Sequence, residues 1–277
     1  MQDKPSILVT GCSSGIGRYC AGRLREDGFR VFATARKDAD LAALRSDGFE
    51  AHYLDYRESD SVCAAFDAVV EATGGRLDAL YNNGAYSQAG AVEDLPTDAL
   101  REQFEANLFG WHELARLAVP VMRAQGGGRI VHASSVLGLV PAPLRGAYVA
   151  SKFALEGLVA SQRMELYGSG VDVSLLEIGP VPSKIALNAI PYVHKYIDVD
   201  GSVHAALYRR RLAQLEAGGT ADDGGRALEQ VYSALNRALT ARNPKTHYLV
   251  TPNTRIAAFG KWLLPADLFY RLVAKRT

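Results

Sequence analysis

Tyr148 and Lys152 stand four residues apart in the run Gly146-Ala147-Tyr148-Val149-Ala150-Ser151-Lys152. On a helix, positions i and i+4 share a face, so this spacing brings a phenol and an ammonium together. A phenol with an ordinary pKa near 10 is a poor proton shuttle at neutral pH, and a neighbouring cation favours its ionised form. The pair therefore suits general acid–base chemistry, in which a proton is given to a nascent alkoxide or taken from an alcohol. Ser135 lies thirteen residues before Tyr148, just past the apolar run Ile130-Val131-His132-Ala133. A hydroxyl at the end of a strand can hydrogen-bond a substrate carbonyl and stabilise the charge developing on its oxygen.

A second constellation opens the chain. Thr10-Gly11-Cys12-Ser13-Ser14-Gly15-Ile16-Gly17 follows directly on Ile7-Leu8-Val9. Between a strand and a helix, Gly11 permits the tight turn, Gly15 lets backbone approach a pyrophosphate and Gly17 allows close packing. Ser13, Ser14 and Ile16 complete a loop whose following helix offers amide donors and positive potential to an anion. The next apolar run ends Ala35-Arg36-Lys37. In dinucleotide-binding domains a carboxylate at this place binds the ribose hydroxyls, whereas an arginine accommodates a 2′-phosphate. Arg36 therefore points to NADP, with NAD as the lesser alternative carried by Asp38 and Asp40 nearby.

These groups require a scaffold that ends several strands at one edge. Strand-like runs occur at 6–10, 30–34, 51–54, 79–82, 129–133, 171–177 and 246–250, alternating with helical stretches near 16–27, 38–46, 59–73, 98–124, 147–167 and 223–241. Such alternation predicts an α/β fold: a doubly wound parallel sheet of about seven strands with helices on both faces, in a single domain spanning 1–277. Residues 182–222 break the rhythm with three Tyr and two His, and an insertion at the carboxyl edge of the sheet is expected to cover the substrate. Residues 251–277 form an amphipathic tail carrying Trp262, Leu263, Leu264, Leu268, Phe269 and Leu272 among basic residues. A tail of this kind either covers the protein's own core or a subunit partner, or lies peripherally on a membrane.

Composition narrows the function. Hydrophobic residues make up 48%, charged residues 22% and the net charge is +1, so there is no basic field of the kind nucleic-acid binders use. Cys12, Cys20 and Cys63 form no CxxC pair, which predicts a reduced compartment and neither a disulfide framework nor a metal site. His132, His194 and His204 show no ligand spacing and are expected in the core or on the surface. No signal-like segment or membrane span is legible, so a cytoplasmic location is expected.

Thr-Gly-x-x-x-Gly-Ile-Gly resembles the cofactor motif of the short-chain dehydrogenases/reductases, in their single-domain Rossmann branch. With Ala-Thr-Ala-Arg at 33–36 and Arg145-Gly146-Ala147-Tyr148, the chain looks most like bacterial aldehyde and ketone reductases and steroid- and retinol-type dehydrogenases. The resemblance implies a hydride transfer between NADP and an apolar aldehyde, ketone or secondary alcohol, by a catalytic tetrad of Asn107, Ser135, Tyr148 and Lys152. It further implies that Lys152 holds the nicotinamide ribose with Tyr148 beside it, that Asp55 contacts the adenine amino group, and that Asn82, Val181 and Ser183 complete the cofactor site. A homodimer or homotetramer follows from the same resemblance. Two motifs depart from it: Asn82-Asn83-Gly84-Ala85, where the family has Asn-Asn-Ala-Gly, and Ile178-Gly179-Pro180-Val181-Pro182-Ser183, where it has Pro-Gly-x-x-x-Thr. They leave open a second reading, an NADP-binding regulatory or scaffold protein of low turnover.

Overall fold

The computed structural model describes residues 4–181, 185–216 and 224–275. Its first half builds β1 (Ser6–Val9), α1 (Gly15–Glu26), β2 (Arg30–Ala35), α2 (Asp38–Ser46), β3 (Glu50–Tyr53), α3 (Ser59–Ala72) and β4 (Ala79–Asn82). After β4 come α4 (Thr97–Phe104), α5 (Gly110–Ala124), β5 (Gly128–Ser135), α6 (Gly146–Glu165) and β6 (Val171–Ile178). The strands pair in the order β3-β2-β1-β4-β5-β6-β7, where β7 is His247–Leu249, and every pairing among the described residues is parallel. Strands buried on both faces read as continuous apolar runs, and Ile7, Leu8 and Val9 are fully buried.

The chain winds outward from β1 in one direction and from β4 in the other. That reversal opens a crevice between the ends of β1 and β4. On one face α1 packs beside α9 (Gly224–Thr240); on the other α3 packs beside α5.

The helix expected over 98–124 is interrupted. Glu105–Phe109 forms a π turn between α4 and α5, a widened turn that is often found at functional sites. A side chain at Gly110 would meet the Tyr56 carbonyl at 2.3 Å, so glycine is needed where α5 passes the crevice floor.

Within the expected insertion, α7 (Ile185–Tyr196) and α8 (Ala205–Glu216) stand over the carboxyl edge of the sheet. Ala91, Val193, Ile197 and Tyr208 form a small separate core beneath them. The Tyr208 hydroxyl accepts from the Ala91 amide at 2.6 Å and donates to Asp94 at 2.8 Å, anchoring α8 to the loop after β4. The tail forms α10 (Pro252–Leu263) and α11 (Ala266–Ala274), with Ile256 and Trp262 largely exposed. No helix among the described residues is long and apolar enough to cross a membrane.

Candidate active site

The glycine loop is pinned from below by the end of β4. Thr10 Oγ1 accepts from the Asn83 and Gly84 amides at 2.8 and 3.1 Å, and Asn83 Nδ2 donates to the Thr10 carbonyl at 3.0 Å. Gly11 and Gly15 have φ of +69° and +56°, the left-handed region that glycine enters without strain. A Cβ at Gly11 would lie 2.5 Å from Gly84 Cα, and one at Gly17 would lie 2.3 Å from the Gly11 carbonyl. Ser14 enters α1 in extended conformation with no side chain capping the first turn, which leaves those amides for an anion. A cradle of this shape, sealed against any side chain, fits a pyrophosphate.

From this loop runs a cleft of about 750 Å³, lined by Gly11, Ser13, Ser14, Gly15 and Ile16 at one end and by Ser135, Tyr148, Lys152 and Val181 further along. Arg36 and Asp55 line the same cleft. Asp55 is gripped by Arg57, whose guanidinium donates to both carboxylate oxygens at 3.0 and 2.6 Å. Although burial pushes the Asp55 carboxyl up, the Arg57 contacts outweigh it and hold the carboxyl below its ordinary value. The Arg36 guanidinium stands 3.8 Å from the same carboxylate and is 46% exposed, so it is only loosely engaged.

Gly17, Asn82 and Asn107 lie behind the lining. Gly17 is buried under the loop, and Asn82 is fully buried, accepting from the Tyr56 hydroxyl at 2.6 Å and donating to the Trp111 carbonyl at 3.3 Å. It is Asn83 that reaches the cleft surface. Asn107, in the π turn, is equally buried: its Oδ1 accepts from the Tyr86 amide at 3.2 Å and its Nδ2 donates to the Tyr86 carbonyl at 2.9 Å. Ser183 lies outside the described residues.

The i, i+4 pair does converge. Lys152 is fully buried, donates from Nζ to the Ala133 carbonyl at 2.8 Å, and lies 5.7 Å from the centre of the Tyr148 ring. Burial pushes the ammonium down to about 7. The Tyr148 phenol is raised by burial, against which a hydrogen bond with Ser135 and the nearby Arg145 act to lower it. The lowering comes from Ser135 and Arg145, while the Lys152 Nζ is turned toward the Ala133 carbonyl. Ser135 Oγ also accepts from the Leu137 amide at 3.1 Å, fixing its rotamer.

Three residues here escape motif reading. Trp111 lies four positions after Asn107, stacks on His132 with ring centres 5.8 Å apart, and donates its indole N–H to the Gly84 carbonyl at 2.8 Å. His132 is a core residue, pushed down to about 3 by burial. Tyr86 packs against Tyr192 of α7 with the rings tilted and their centres 4.4 Å apart, joining the cover to the cleft wall. A helical or strand periodicity carries the signal that these side chains face inward, and nothing in it says which ones meet.

Behind the tetrad, Glu156 is one helical turn past Lys152, and its carboxylate lies within 4.8 Å of Glu177 on β6 and of His247 on β7. Ser134 hydrogen-bonds Glu156, while His247 Nδ1 and Glu177 Oε1 share a 2.6 Å hydrogen bond. Burial pushes the Glu156 carboxyl up to about 7, with Glu177 adding to the rise.

Comparison with known proteins agrees with this geometry. The chain is 42% identical over 183 residues to an uncharacterized oxidoreductase, YbbO, of Escherichia coli (strain K12), covering 66% of this chain and 68% of that one. It is 29% identical to an NADPH-dependent 3-dehydrocapnine reductase of Ornithobacterium rhinotracheale, covering 98% of each. The crystal structure of a short-chain dehydrogenase from Streptomyces avermitilis superposes with a TM-score of 0.77 at 26% identity, covering 95% of this chain and 93% of that one. Residues 5–190 match the family of short chain dehydrogenases, and the chain belongs to that family.

Proposed function

We propose that this oxidoreductase uses NADP(H) to interconvert an aldehyde or ketone of mainly apolar body and the corresponding alcohol, with Tyr148 as the general acid and base. One observation carries the reading: a single cleft joins an anion cradle, a loosely held arginine and the Ser135–Tyr148–Lys152 cluster. Arg36 supports NADP because Asp55 is already satisfied by Arg57, which leaves the guanidinium available for a 2′-phosphate, gripped in bidentate fashion. NADPH dependence in a relative that matches this chain from end to end favours the same cofactor. Homo-oligomeric assembly is carried over from the family as part of this proposal.

When bound, the nicotinamide supplies the hydride for reduction or takes it in oxidation. The chain's residues do the rest. Ser135 hydrogen-bonds the substrate oxygen, and Tyr148 delivers its phenolic proton to that oxygen as negative charge develops there. Lys152, as a cation in a dry site, stabilises the phenolate that remains. Ile185 and Leu187 of α7 add apolar surface to the cleft wall, against which an apolar substrate body packs.

Tyr148→Phe tests the proposal. Turnover is expected to fall by about 10²–10⁴-fold, while binding of NADPH, followed by nicotinamide fluorescence, persists. Unchanged turnover would overturn the mechanism.

A further inference from the structure

Five charged residues line the cleft: Arg36, Asp55, Arg145, Lys152 and Arg211. Asp55 is paired with Arg57 and lies near Arg36, and Lys152 is engaged by the Ala133 carbonyl. The cofactor accounts for the cradle and for Arg36. Two cations, Arg145 beside Tyr148 and Arg211 on α8, remain without a counter-ion.

Arg145 directly precedes α6, three residues before Tyr148, and donates to Ser87 Oγ at 3.1 Å. Among the described residues no carboxylate lies within ion-pair distance of it or of Arg211, whose side chain donates only to Gln214, at 3.2 Å. Burial presses the Arg145 guanidinium below its ordinary value, and Arg211 presses it further. Arg145 is half-buried and Arg211 exposed, and both line the same cleft. Desolvating a guanidinium beside another without a counter-ion is costly, so this arrangement is the kind that a bound anion relieves.

The backbone holds Arg145 in place by a strained device. Leu144 has φ of +58°, the one non-glycine residue of positive φ among those described, and its carbonyl accepts from the Gly90 amide at 2.9 Å. A bulky residue in the left-handed region costs free energy and persists where surrounding structure enforces it. From the opposite wall, Arg211 and Leu215 on α8 are four apart and face the cleft together, beside Asn188 and Leu187 of α7. The cover thus offers a charged group and an apolar stripe side by side.

We infer that the substrate carries an oxoanion, such as a carboxylate or sulfonate, held between Arg145 and Arg211, with its aliphatic body against Leu187 and Leu215. The inference rests on the functional reading above and refines its apolar carbonyl compound to an amphipathic, acidic one. Arg145 and Arg211 are then the residues that select the substrate, distinct from those that move the proton.

The test measures binding rather than turnover, so that its failure can be told from failure of the catalytic reading. Aliphatic keto acids, with the carboxylate two or more carbons from the ketone, and their methyl esters are titrated by calorimetry into the protein saturated with oxidised nicotinamide cofactor. The acids are expected to bind about tenfold or more tightly than the esters. Arg211→Gln should abolish that preference while leaving ester binding unchanged, and Arg145→Gln should weaken it. Equal affinity for acid and ester, a preference retained in both variants, or no binding of any acid in the millimolar range overturns the inference. Collapse of turnover in Tyr148→Phe is read separately and decides only the mechanism.

Discussion

The Lys152 ammonium lies 4.0 Å from the centre of the Trp111 ring. Lys152 is fully buried and Trp111 is equally inaccessible, so the cation meets the indole face without intervening water. A desolvated cation–π contact of this kind is worth about 2 kcal/mol and opposes the burial that pushes the ammonium down to about 7. If protonated Lys152 is required, kcat/KM should fall as pH rises through about 7, since that profile reports groups of the free enzyme. Trp111→Leu removes the ring and is expected to move the inflection down by about one unit, with Trp111→Phe intermediate. A profile that does not move in Trp111→Leu would show that the ring does not sustain the charge.

Much of this was legible from the residues. The apolar runs place all seven strands within a residue or two of their observed ends, because strands of a parallel sheet with helices on both faces read as near-continuous apolar runs. The spacing of Tyr148, Lys152 and Ser135 encodes a chemistry directly, and the structure brings the three to one cleft. Asn82 and Asn83 were not separable: side chains alternate along a strand, and which of two adjacent asparagines faces the glycine loop depends on where β4 stops pairing. The π turn at Asn107 and the contact of Trp111 with Lys152 depend on packing between α5 and β5, for which a single helix carries no signature.

Arg36 is the second point at which a measurement decides. It stands 3.8 Å from Asp55 and is partly exposed, whereas Arg57 holds the same carboxylate at 2.6 Å. Removing Arg36 should therefore cost little stability, of the order of the 0–1 kcal/mol of exposed pairs, while weakening NADPH binding by about tenfold or more. Arg36→Asp is expected to reverse the preference toward NADH. Fluorescence titration with both nicotinamides checks this, and tighter NADH binding by the unaltered protein would transfer the assignment to NAD.

The reversed order Gly84-Ala85 also has a physical reason. A Cβ at Gly84 would sit 3.3 Å from Gly11 Cα and 3.4 Å from the Tyr56 ring, tighter than comfortable packing on two sides. The Tyr56 ring is itself fixed by its hydroxyl bonds to Thr10 and Asn82, so it cannot retreat. Gly84→Ala is expected to cost about 1–2 kcal/mol and to weaken cofactor binding severalfold, because the displaced partner is the phosphate loop. Gly11→Ala should be worse, since its Cβ would meet Gly84 Cα at 2.5 Å and its φ is +69°. Chemical denaturation ranks the two, and equal stability in both variants would contradict the close approach of these segments.

Glu156 supplies the last prediction, through stability rather than rate. Its Oε2 and that of Glu177 are buried without a hydrogen-bond partner, and a proton on Glu156 would provide one donor to the pair. Burial raises the folded-state pKa of Glu156 from 4.5 to about 7, so between those values the folded protein holds a proton that the unfolded chain has lost. Stability from this group is then full below about 4.5 and declines as pH rises to about 7, beyond which a constant penalty remains. His247 is held above its ordinary value chiefly by Glu177 and in part by Glu156, 3.6 Å away, so its contribution declines in the same direction and is smaller in a variant that lacks the Glu156 charge. Glu156→Gln, which keeps the shape and removes the charge, is expected to exceed the unaltered protein by about 1–3 kcal/mol at alkaline pH and to lose that advantage under acid conditions. Urea denaturation at the two extremes reads the difference, and an offset that is the same at both would show that Glu156 is not the group that titrates.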